Sequence, residues 1–86
     1  MIEKRLVNKN LDAYYWIESI LRERKEFYLT KEEIYADMPK DDREVPLITI
    51  GAFTNALRHL AHLNHIEVAY IGGKAHYTYV ENPTRY

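Results

Sequence analysis

Histidines, carboxylates and a single serine are the residues of this chain whose chemistry can be weighed against their spacing. His59, His62 and His65 recur every third residue, and side chains at i and i+3 share one face of a helix, as a pair of metal ligands would. His65 falls past the end of the helix that carries the other two, and no carboxylate is spaced to complete a ligand set, so no metal site is expected. Asp37, Asp41, Asp42 and Glu44 crowd one stretch, but the glycine and the closing glutamate of a calcium loop are missing, and the stretch reads as a solvated loop. Catalysis has little to work with. There is no Gly-rich phosphate loop and no nucleophile elbow, Ser19 is the only serine and lies in a helical pattern, and there is no cysteine. The chain is expected to be no enzyme and to need no cofactor.

Binding is what remains, and composition bounds it. The 86 residues suffice for one domain spanning 1–86, with 1–10 as an arm or an extra helical turn and 81–86 as a tail. Without cysteine, stability must come from apolar burial, helped or not by a partner subunit. No apolar run reaches membrane-spanning length, and MIEKRLVNKN lacks the apolar core and cleavage site of a signal peptide. A soluble cytoplasmic protein with no membrane contact is therefore expected. Net charge is −1, which neither favours nor forbids a nucleic-acid partner. The charge is uneven: residues 1–28 carry +1, residues 29–44 carry −3 and residues 45–86 carry +1. The acidic block repels phosphate, so any phosphate-binding face must lie away from it.

Periodicity and punctuation define the elements. Helix 1 is expected over 11–24 with Asn10 as N-cap, burying Ala13, Ile17, Ile20 and Leu21, with Arg22, Arg24 and Lys25 at its C-terminal end. Those three cations read as a solvated helix end or as phosphate contacts. Phe27-Tyr28-Leu29 fits a short edge strand or a linker. Thr30 with Glu33 makes a capping box, and Leu29 and Ile34 are placed for a hydrophobic staple, so helix 2 runs from 30 to 38, where Pro39 stops it. Residues 39–48 form a loop that is long for a helix–helix turn. Helix 3 starts at Thr49 and runs to Leu63, with Phe53, Leu57, Leu60 and Leu63 as its apolar stripe, Ile50 and Ala56 beside it, and Asn64 able to end it in the left-handed conformation. Gly72-Gly73 is a two-residue hairpin turn. It pairs Ile66 with Tyr79, Val68 with Tyr77 and Tyr70 with Ala75 on one apolar face. Glu67, Thr78, Ala69, His76, Ile71 and Lys74 fall on the other.

This order, and above all Thr49-Ile50-Gly51-Ala52-Phe53-Thr54-Asn55-Ala56-Leu57-Arg58-His59-Leu60-Ala61-His62-Leu63-Asn64-His65-Ile66, resembles the winged helix-turn-helix superfamily. The stretch is similar to that family's recognition helix passing into the first wing strand, although many members have glycine where Asn64 or His65 stands here. The small phage- and plasmid-type regulators are nearest in size. The resemblance covers about residues 11–80 and implies an α+β fold of three helices and a C-terminal hairpin wing. It implies double-stranded DNA as partner, with helix 49–63 in the major groove, the 72–74 tip on the backbone, and a role in transcription regulation. On that reading Thr49, Gly51, Thr54, Asn55, Arg58, His59, His62 and Lys74 form the DNA-binding set. Asn55 can pair with adenine and Arg58 with guanine, each through two hydrogen bonds, and Thr54 can meet a phosphate or a thymine methyl. The same residues also read as plain solvated surface, and Lys74 as a simple turn residue.

Tyr14, Tyr15 and Trp16 are consecutive, and one helix face cannot bury all three. Either one is a half-exposed tyrosine, or helix 1 and the arm build a homodimer interface from Ile2, Leu6, Leu11 and Tyr15. The acidic 29–44 block and the eight tyrosines also suit a second function on the same fold: a protein–protein interaction module that binds no DNA.

Overall fold

Asp12 decides where the first helix begins. In a computed structural model, which describes residues 12–81, its carboxylate accepts the Tyr15 backbone N–H at 3.1 Å and caps α1 (Ala13–Glu23). The expected cap, Asn10, lies outside the described residues. The start thus moves inward, because a carboxylate three residues before a free N–H satisfies one of the helix's orphan donors. Ala13, Ile17, Ile20 and Leu21 are buried as their spacing requires. Trp16 packs against the same core, and Tyr14 and Tyr15 stay exposed.

α2 (Lys31–Ala36) is held by the capping box: Glu33 N–H donates to Thr30 Oγ1 at 3.2 Å, and Thr30 N–H donates to Glu33 Oε1 at 2.9 Å. It ends at Ala36 with Asp37 as its C-cap, two residues short of the expected boundary, and Met38 still reaches the core. Residues 39–48 are long because they fold on themselves. Lys40 and Pro46 bridge as in a tiny hairpin, and Asp41 Oδ1 accepts the N–H groups of Arg43 and Val45 at 2.8 and 3.0 Å. Local backbone bonds thus replace the contacts a shorter turn would make. The loop returns Ile48 to the core, where its carbonyl accepts the Tyr35 hydroxyl at 2.6 Å.

α3 (Ile50–His62) buries Phe53, Ala56, Leu57 and Leu60. Two expected stripe members do not join them: Ile50 is 57% exposed and Leu63 is 46% exposed. Helical side chains lean toward the N-terminus, so Ile50 in the first turn overhangs the core's edge, and Leu63 sits at the C-cap on the stripe's border. Asn64 then takes φ 64°, the left-handed conformation expected of it.

The hairpin is β1 (Ile66–Ile71) and β2 (Lys74–Tyr79), antiparallel, with Ile66 opposite Tyr79, Val68 opposite Tyr77 and Ile71 opposite Lys74, the register the turn demands. Gly72 and Gly73 both have positive φ, 61° and 79°, as a two-residue turn with matching twist requires. Leu29 adds one further rung, exchanging backbone hydrogen bonds of 2.8 and 2.7 Å with Tyr77. On the outer face Thr78 is buried, because the chain after α1 crosses it and its hydroxyl meets the Lys25 carbonyl at 3.4 Å. Among the described residues the architecture is α+β, three helices and a two-stranded antiparallel hairpin around one core. Among the described residues no helix is long and apolar enough to cross a membrane.

Candidate nucleic-acid interface

The outward side of α3 holds most of the polar residues singled out by the sequence. Thr49 caps the helix, accepting the Ala52 N–H at 3.2 Å. Gly51 is exposed, and a Cβ built on it would meet nothing within 4 Å, so packing inside the chain does not require glycine there. Asn55 and Arg58 are exposed, and Arg58 Nη1 donates to Asn55 Oδ1 at 3.3 Å across one turn. Helical spacing places Thr54 and Arg58 on the hairpin side, His59 on the α1 side, and Gly51, Asn55 and His62 between them.

His59 is committed to α1. Its Nδ1 lies 3.0 Å from the Tyr14 hydroxyl, and the two rings meet edge to face at 5.8 Å. His65 pairs with Glu18 at 3.2 Å, again on α1, while His62 is exposed in the last turn of α3. The three-residue repeat of histidines therefore spreads over separate partners instead of converging. Among the described residues no group of three or more metal-ligating side chains is placed to hold an ion.

Two of the open clefts beside the hairpin have cations in their lining. The larger, about 300 Å³, lies between α3 and the hairpin and is bordered by Thr54 and Arg58 from α3, Lys31 from α2, and Val68, Tyr70 and Tyr77 from the strands. It carries two cations and no carboxylate. The smaller, about 240 Å³, shares Lys31 and Tyr77 with it and adds Lys74 and Glu32. Lys74 reaches Glu32 at 3.5 Å, so the hairpin cation has an acidic neighbour on α2. A hydrogen bond from its own backbone N–H, and then Lys74, hold the Glu32 carboxyl below its usual range. Burial pushes the Tyr77 phenol above its usual range, with Tyr70 and Glu32 adding to it, so the hydroxyl stays protonated at neutral pH.

The cations at the end of α1 are used within the fold. Arg22 stacks over Tyr79 at 5.4 Å, Arg24 meets Asp37 at 2.6 Å, and Lys25 meets Glu81 at 3.2 Å. Of the residues expected at a dimer contact, Ile2, Leu6 and Leu11 lie outside the described residues. Tyr15 is exposed, with its ring edge to face on Trp16 at 5.5 Å.

Two residues of the cleft were not singled out by their sequence. Lys31 is obscured by the acidic block around it, and only the packing of α2 beside the hairpin brings it into the lining of the cleft that Arg58 also borders. Tyr70 had a signal: the register puts it on the apolar face, one pair from the turn, where that face runs out of helix to cover it. No family model, no curated protein and no solved structure matches the chain.

Proposed function

We propose that the chain is a winged helix-turn-helix protein that binds double-stranded DNA sequence-specifically and regulates transcription by occupying its site, without chemistry. α3 enters the major groove, Asn55 and Arg58 read base edges, and the hairpin tip with Lys74 lies on the backbone. The observation that carries this reading is the exposure of Asn55 and Arg58 on the outward side of α3, joined by a hydrogen bond that orders both side chains before they meet a partner. Had the hairpin covered them, no groove could reach them. The carboxylate-free rim with Arg58 and Lys31 adds a positive strip in a chain of net charge −1. Binding as a homodimer matches the two-fold symmetry of a palindromic site and doubles the contacts of a small module.

The test is selection of a preferred site from random duplexes, followed by fluorescence anisotropy with variants. Asn55→Ala and Arg58→Ala should each cost about 1–3 kcal/mol of discrimination between the selected site and its point variants. A double variant that still prefers the selected site as strongly as the native chain overturns the assignment. The second reading, a protein-interaction module on the same scaffold, draws on exposed Phe27 and Tyr28 before α2. Retention of one protein partner from nuclease-treated lysate, with no duplex bound at low salt, would establish it instead.

A further inference from the structure

Among the described residues Tyr70 is the most exposed of the large hydrophobic side chains, at 77%, yet it stands on the apolar face of the hairpin and not on its outer face. Along that face Ile66 is buried, Val68 is half-buried and Tyr70 overhangs the cleft that Arg58, Lys31 and Tyr77 border. Solvent thus reaches a phenol ring beside two cations with no carboxylate in the lining. Among the described residues the Arg58 side chain bonds only to Asn55, and the Lys31 side chain makes no hydrogen bond or ion pair, though its charge helps hold the Glu32 carboxyl below its usual range. The space, about 300 Å³, lies at the lower end of what a pocket needs to hold one small ligand.

An intact duplex cannot use such a ring fully. Each base inside it is stacked on both faces, so away from its ends a side chain from outside meets edges and phosphates. An unpaired base offers its face. Tyrosine stacking holds such a base whatever its identity, while cations beside it hold the phosphates of the strand. We propose that the cleft between α3 and the hairpin takes an unpaired nucleotide, its base stacked on Tyr70 and its phosphate held by Lys31, while Arg58 stays on the base edges of the adjoining duplex. The preferred target is then a duplex with a single-stranded overhang or an opened base pair. This deepens the reading of α3 as the DNA-binding helix and rests on it.

Two fluorescent probes decide it: a blunt duplex, and the same duplex with a short single-stranded thymine overhang. Binding is measured at low salt with the native chain, Tyr70→Leu and Tyr70→Phe. The overhang probe should bind roughly tenfold tighter than the blunt one, within the range of one base stacked on an aromatic ring. Tyr70→Leu should bring the two affinities together, and Tyr70→Phe, which keeps the ring, should keep them apart. Tyr70 is exposed, so neither change threatens the core. A 2-aminopurine placed in the overhang should be quenched by the native chain and not by Tyr70→Leu. Equal affinity of the native chain for both probes overturns the inference while leaving duplex binding in place. So does a preference that Tyr70→Leu retains, or one that Tyr70→Phe abolishes. If neither probe binds, the DNA-binding reading fails, and this inference with it.

Discussion

At the scale of single residues, the interface is set by which charges are already spoken for. The helix-1 cations answer Tyr79, Asp37 and Glu81, so they tie segments together rather than present a basic surface. Lys74 is half-way between these situations: it is exposed at the turn but faces Glu32 at 3.5 Å. Its charge toward a phosphate is reduced by that neighbour. Glu32→Gln should therefore strengthen duplex binding about two- to fivefold at low salt, with the gain shrinking as salt rises, because an exposed pair is screened. Weaker or unchanged binding at low salt would place Lys74 away from the phosphates. Tyr77 gives a second check on the same region. Its phenol is raised by burial, so above pH 10 the folded state keeps a proton that the unfolded chain has lost. Stability is full below that pH and falls as pH rises through the folded value, which a pH series of urea melts would show and Tyr77→Phe would remove.

At the scale of elements, legibility followed the strength of local chemistry. The capping box of Thr30 and Glu33 and the Gly72-Gly73 turn are specified by neighbours in sequence, and both form as read. Asn64 adopts the left-handed conformation for the same local reason. Asn10 and Asp12 are both good caps by type, and the choice between them depends on which residues the core draws into the helix. Ile50 and Leu63 follow the apolar period yet stay exposed, because periodicity gives the direction of a side chain but not whether a neighbour stands there to cover it. The capping box is the natural place to test an element. Thr30→Ala should cost about 1 kcal/mol of stability, read as a lowered midpoint in urea with an unchanged slope. A loss near zero would mean that packing of Ile34 and Leu29 alone holds α2. Thr30→Ser, which keeps the oxygen, should recover most of the loss.

At the scale of the molecule, one core joins all three helices to the base of the hairpin, with Phe53, Ile17, Leu21 and Ile34 fully enclosed. The hairpin depends on that core for its position, since a two-stranded ribbon is marginal on its own. Whole-molecule electrostatics also bounds the function. On the proposed DNA-binding reading, the phosphate contacts offered by the described residues of this face are Lys31 and Lys74. The slope of log K against log salt should then be about −2 per protomer. A slope much steeper would require a cationic surface other than this strip.

The sequence by itself determined the helices, the hairpin register and the face on which Asn55 and Arg58 lie, because caps, turns and apolar period act between residues near each other in the chain. Only the tertiary structure decided that Lys31 lines the same cleft as Arg58, that Tyr70 overhangs it, that His59 belongs to Tyr14 and that Thr78 is covered. Each of these joins residues distant in sequence, and no local pattern records which element will lie against which. The elements were written in short-range chemistry; the surface they make together comes from how one small core packs them.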